Sequence, residues 1–214
     1  PSPSEVYLLR ASLLPRTLPL PQPLLVIIDL NGTLLYRPNS HKAPRHFVLR
    51  PGAAEFLSFC LSSTQTQTSF KVMIWSSARP ANVAAMLDKL PLTKSQRSDL
   101  VAVWGRDKFG LSPEDYTRRV QCYKRLTKVW ADPLKDRTEE AGGWVKGGWS
   151  QGNTVLIDDS KEKARSEPYN AVEIPEFRGD MTEDVLPRVR GYLEGLARQA
   201  DVSTYMRVSP FKPV

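Results

Sequence analysis

The sequence predicts an α/β protein: a Rossmann-like three-layer sandwich built on a central parallel sheet. Three observations carry that expectation. The apolar runs LLVIIDL (24–30), FKVMIWSS (70–77) and NTVLIDDS (153–160) are continuous, as in strands covered on both faces. Segments of helical periodicity lie between them. Strand–helix alternation of this kind folds into parallel sheets through right-handed crossovers.

The elements follow in order. Residues 1–23 are rich in Pro and read as an extended segment wrapping over the domain, since Pro disfavours helices and central strands. The main domain is expected over 24–200. LLYRP (34–38) and RHFVLRPG (45–52) can pair as a β-hairpin flap after the first strand. AAEFLSFCLSS (53–63) is a helix after Pro51-Gly52, and PANVAAMLDKL (80–90) is a helix with Pro in its first turn. LVAVWGRD (100–107) is a further strand. SPEDYTRRVQCYKRLTKVW (112–130) reads as one helix capped at Ser112. Residues 131–152 are a Gly-rich surface loop carrying Trp144 and Trp149, whose default role is to anchor the loop on the core. AVEIPEF (171–177) is a last short strand. TEDVLPRVRGYLEGLARQA (182–200) is the terminal helix, with Pro187 near its start or kinking it, and 201–214 is a tail.

Composition narrows the class. The chain has 214 residues, 41% hydrophobic and 25% charged, ordinary for a globular domain with a core of its own. No apolar run approaches the ~20 residues of a bilayer span, and the first residues lack a basic–apolar–small signal pattern. The chain begins without Met, which suggests processing or trimming. The net charge of +7 suits acidic partners such as phosphorylated peptides, or equally a solvated basic surface; nucleic acid is possible but not favoured. Cys60 and Cys122 are far apart without metal spacing, which suggests free thiols in a reducing compartment, nuclear or cytoplasmic.

In parallel sheets, sites collect at the carboxyl ends of the strands. Three strand ends converge there. The first delivers Asp29, Asn31 and Thr33, the second Ser76 and Ser77, and the fourth Asp158 and Asp159; Lys124 lies on the helix leading to that fourth strand. Two acidic strand ends at one edge repel unless a cation lies between them. Oxygen ligands without His or Cys point to Mg²⁺. A carboxylate there can attack phosphorus and form an aspartyl phosphate, with Ser76 and Lys124 holding the transferring oxygens.

DLNGT, IWSS, Lys124 and IDDS, in that order, resemble the four motifs of the haloacid dehalogenase superfamily. RPGAAEFL, KRLTKVW and NTVLIDDSKEKARSEPYNAVEIPEF resemble its C-terminal-domain phosphatase branch, the FCP/SCP or NLI-interacting-factor homology domain, over residues 24–200. The resemblance implies a nucleophile and Mg²⁺ ligand at Asp29. Position 31 would be the general acid/base, its backbone carbonyl also binding Mg²⁺. Thr33 would steady the loop, Ser76, Ser77 and Lys124 would bind phosphate, and Asp158 and Asp159 would hold or orient the metal. It further implies phosphoserine or phosphothreonine in protein segments as substrate, and a small or absent cap.

Two departures stand out. The branch carries Asp and Glu where this chain has Asn31 and Gly32. The long gap between Lys124 and Asp158 leaves Lys128 as a weaker candidate for the phosphate-binding lysine. Gly32 is tolerated in the wider superfamily. Asn31 cannot carry the proton that the second half-reaction needs. Three readings follow: a phosphatase with slow or altered activity, a catalytically inactive pseudo-phosphatase serving as a protein-binding scaffold, and an active phosphatase whose Asp was exchanged for Asn to trap substrate. A nucleic-acid 3′-phosphatase is a weaker fourth.

Overall fold

The computed structural model describes residues 1–38, 46–62, 70–132, 134 and 148–213. His41, Trp144 and most of the 131–152 excursion lie outside them.

Five strands form one parallel sheet: β1 (Leu24–Ile28), β4 (Phe70–Trp75), β5 (Ala102–Trp104), β6 (Thr154–Asp158) and β7 (Ala171–Glu173), in the order β5-β4-β1-β6-β7. β1 is central, and all five of its residues are buried. Its alternate side chains enter two separate cores. Leu24, Val26 and Ile28 face one cluster, and Leu25 and Ile27 face the other. That two-sided burial is why the run is continuously apolar. Each such side chain contributes roughly 1.5–3 kcal/mol on leaving water.

The first core is covered by α2 (Ala53–Leu61), α3 (Pro80–Leu87) and α7 (Leu186–Ala197). The second is covered by α6 (Leu126–Ala131), with Phe109 and Trp149. Trp149 is therefore a core anchor. Helices on both faces of the sheet make the three-layer α/β sandwich. Strands β2 (Leu35–Tyr36) and β3 (Val48–Leu49) pair antiparallel as the expected flap after β1. Among the described residues between α3 and α6, the elements added around β5 are short: α4 (Lys94–Ser98), a 3₁₀ turn at Arg106–Lys108 and α5 (Pro113–Thr117). Pro187 lies in the first turn of α7, where its missing N–H costs nothing, so it starts the helix and does not kink it.

Three expectations need correction. The Pro-rich start is not wholly extended, because Glu5–Ala11 forms helix α1. Its prolines flank this segment without interrupting it, and the Ser4 side chain caps it by accepting from Tyr7 N. Residues 112–130 are not one helix either. α5 ends at Thr117, the chain runs without helix to Arg125, and α6 begins at Leu126. The Arg106 guanidinium donates to the carbonyls of Asp115, Tyr116 and Arg118, ending α5 from outside its own sequence. The tail contains helix α8 (Val202–Val208), capped by Asp201. It packs on α1, where Arg207 Nε donates to Ala11 O.

Candidate active site

Asp29 directly follows β1, and Asp158 closes β6. Because β1 and β6 are parallel neighbours in register, with Ile28 beside Ile157, the two carboxylates leave the same edge together. The Asp29 N–H donates to Ile157 O at 3.0 Å. Asp159 is the next residue along. Asp29, Asp158 and Asp159 each offer an oxygen within 4.8 Å of the others.

Lys124 reaches this cluster from the non-helical segment before α6, not from a helix as expected. Its backbone N–H donates to Lys163 O at 2.7 Å. That bond positions a fully buried side chain whose Nζ stands 2.8 Å from Asp29 Oδ1 and 2.6 Å from Asp158 Oδ2. Lys128 is elsewhere, donating to Phe109 O. Of the two lysines, Lys124 is the one at the site.

The turn after Asp29 is shaped by its own backbone. Leu34 and Leu35 N–H both donate to Leu30 O, and Gly32 N–H donates to Leu35 O. Gly32 has φ +87°, a left-handed conformation that favours Gly. A Cβ there would also lie 2.6 Å from Asp159 Oδ2. The Asn31 side chain is exposed, and its Oδ1 accepts from Arg37 N at 3.1 Å, joining the turn to the flap. Thr33 is fully buried, and its Oγ1 has no hydrogen-bond partner among the described residues. Ser76 is buried just past β4, its Oγ accepting from Ala78 N, while Ser77 is half-buried beside it.

Lys163 was not anticipated. Its Nζ lies 3.0 Å from Asp29 Oδ2, 2.8 Å from Asp158 Oδ1 and 3.0 Å from Asp159 Oδ1. Burial opposes its charge, but the carboxylates of Asp29, Asp158 and Asp159 outweigh that and push its pKa up. The only hint in the sequence was a lysine four residues beyond Asp159. The 3₁₀ turn at Lys161–Ala164 that aims it inward is a tertiary feature.

Two further buried polar groups support the site from behind. Arg50, after β3, donates to Gly32 O at 3.5 Å and to Pro175 O, and pairs with Glu183 at 3.1 Å. It thereby ties the turn to the segment after β7. Glu167 Oε2 accepts from Leu126 N at 2.9 Å and caps α6. Burial pushes the Glu167 pKa up despite its hydrogen bonds to Leu126 N and Ser166.

The donor set fits a hard divalent cation. It is three carboxylates without His or Cys, and a positive group, the Lys163 ammonium, already sits among them.

The chain is similar to known proteins at the level of family. The profile of the NLI interacting factor-like phosphatases matches residues 24–203. An uncharacterised FCP1 homology domain-containing protein of Schizosaccharomyces pombe is 36% identical over 200 residues, covering 88% of this chain and 77% of that protein. The structure of the fission yeast RNA polymerase II CTD phosphatase Fcp1 bound to beryllium fluoride aligns over 81% of this chain, with TM-score 0.44 and 12% identity. The chain spans about half, 50%, of that solved structure.

Proposed function

We propose, from the premise that this chain belongs to the NLI interacting factor-like phosphatase family, that it acts on phosphoserine or phosphothreonine in protein segments through Asp29, with its turnover limited by Asn31. The observation that carries this reading is the convergence of Asp29, Asp158, Asp159 and Lys124 at one sheet edge. Mg²⁺ held by Asp29, Asp158, Asp159 and the carbonyl of residue 31 would neutralise charge between these carboxylates and the incoming phosphate.

Asp29 is the nucleophile. One of its oxygens bonds to phosphorus while the bond from phosphorus to the substrate oxygen breaks, and with Asn31 unable to donate, the departing alkoxide takes a proton from solvent water. A second water then attacks phosphorus, gives its proton to solvent, and the bond from phosphorus to the Asp29 oxygen breaks, releasing phosphate and the Asp29 carboxylate. Lys124, held beside Asp29 and Asp158, offers its ammonium to the phosphoryl oxygens. Ser76, Ser77 and Thr33 supply hydroxyls on the two neighbouring strand ends. Asn31 can neither give nor take the proton, which for a missing acid/base costs ~10²–10⁴ in rate. A phenolate leaves unaided more readily than an alkoxide.

The test is Mg²⁺-dependent turnover of para-nitrophenyl phosphate and of a phosphoserine peptide, at mildly acidic pH, by this chain and by Asn31→Asp. The expected result is slow turnover that Asn31→Asp raises, with a larger gain on the phosphoserine peptide. Absence of turnover in both proteins would remove the catalytic reading. Asn31 itself favours the second reading, a scaffold that holds its partner without hydrolysis. In that case the unaltered chain binds a phosphopeptide, and Asp29→Asn weakens the binding.

A further inference from the structure

We propose that Lys163 is a built-in competitor for the divalent cation: its ammonium occupies the cradle formed by Asp29, Asp158 and Asp159, and metal enters as it withdraws. This rests on the Mg²⁺ reading above and concerns what sets the affinity. Lys163 Nζ contacts one oxygen from each of the three carboxylates, at 2.8–3.0 Å. Those three residues are also the set whose oxygens converge within 4.8 Å. A lysine that merely flanked the site would meet one of them, not all three.

Charge makes the competition exclusive. Three carboxylates facing Lys124 alone leave two negative charges, which a divalent cation neutralises. With Lys163 also present only one is left, and a divalent cation would have to sit against an ammonium. The two lysines also differ in how they are held. Lys124 is fully buried, while the Lys163 side chain is 16% exposed and so has a way out to solvent. The Lys163 carbonyl stays bonded to Lys124 N, so the flexible four-carbon stem can swing without disturbing Lys124. Ser160 N–H donates to Asp158 Oδ1 at 3.0 Å, which keeps that carboxylate oriented when the ammonium leaves.

The test measures metal affinity directly, by Mn²⁺ electron paramagnetic resonance and Mg²⁺ calorimetry, together with thermal melting with and without chelator. Lys163→Met is expected to bind Mn²⁺ and Mg²⁺ at least about tenfold more tightly than the unaltered chain, about 1.4 kcal/mol. It should melt lower in chelator and recover with Mg²⁺, whereas the melting of the unaltered chain responds less to the same Mg²⁺ concentration. Lys163→Arg keeps the charge and should bind metal no more tightly than the unaltered chain. Lys161→Met removes an exposed charge from the same turn and should change affinity less than twofold.

Equal affinities for the unaltered chain and Lys163→Met overturn the competition and leave the metal reading intact. Absence of metal binding in both overturns the two together. If Lys163→Met is unfolded in chelator, its refolding by Mg²⁺, or that of Lys163→Gln, shows the same competition. Failure of both variants to fold at any Mg²⁺ concentration overturns it.

Discussion

Lys124 Nζ stands 2.8 Å from Asp29 Oδ1, and neither side chain is more than 3% exposed. This contact joins the end of the central strand to a segment 95 residues away in sequence that no element of the sheet contains. It fixes both groups at the same depth, at the carboxyl edge where a phosphoryl group would be received.

That ion pair should matter for stability as well as chemistry. Lys124→Met leaves Asp29 and Asp158 buried with one ammonium fewer, and breaking a buried pair typically costs about 3–5 kcal/mol. Urea denaturation should show a loss of that order. A loss below about 1 kcal/mol would mean that the carboxylates are solvated in the folded protein.

Gly32 should be intolerant of a side chain. Gly32→Ala must hold φ +87° and place its Cβ against the Asp159 carboxylate. The left-handed backbone alone costs roughly 1–2 kcal/mol. Denaturation should show that loss, and weaker Mn²⁺ binding should show that Asp159 has moved.

The N-terminal helix should contribute through one phenol. The Tyr7 hydroxyl donates to Asn170 Oδ1 at 3.0 Å and accepts from Tyr169 N at 2.8 Å. Burial pushes its pKa up, so it stays a donor at all ordinary pH values. Tyr7→Phe leaves buried Asn170 and the N–H of half-buried Tyr169 without this partner and should cost about 1–3 kcal/mol. Limited proteolysis should then cut near residues 12–20 sooner. Unchanged stability would show that α1 docks without this bond.

Glu167 predicts a pH dependence. Its folded pKa is raised, so the folded protein prefers it protonated. The stability it contributes is full below the ordinary carboxylate range and falls as pH rises through that range toward the raised folded value. Glu167→Gln keeps an oxygen for Leu126 N–H and has no charge to bury. Compared by urea denaturation, it should gain on the unaltered chain as pH rises from about 4 to 7. A pH-independent difference would contradict this origin.

Much of the site is legible in the sequence. Asp29, Asp158 and Asp159 follow apolar runs, and such runs are buried strands whose carboxyl ends share one edge. The local code also pointed to the flap pairing, whereas Pro187 was compatible with either the start or a kink of the terminal helix until the structure placed it in the first turn of α7. The helical pattern over 112–130 does not show its break, because that break is imposed from outside it by the Arg106 guanidinium, which takes three carbonyls of the 115–118 stretch. Helix α1 is hidden by the Pro-rich composition of 1–23, whose prolines all lie outside Glu5–Ala11.

By itself the sequence determined the layers, the order of the acidic strand ends and the absence of an acid/base at residue 31, because periodicity and residue chemistry are local properties. The motif order favoured Lys124 over Lys128; tertiary structure decided the contact itself and added Lys163. Lys124 and Lys128 are four residues apart on one basic stretch, yet one reaches Asp29 and the other a backbone carbonyl of Phe109. Lys163, unmarked in the sequence, reaches all three carboxylates. A long flexible cation goes wherever the nearest buried negative charge lies, and that is set by packing across the sheet.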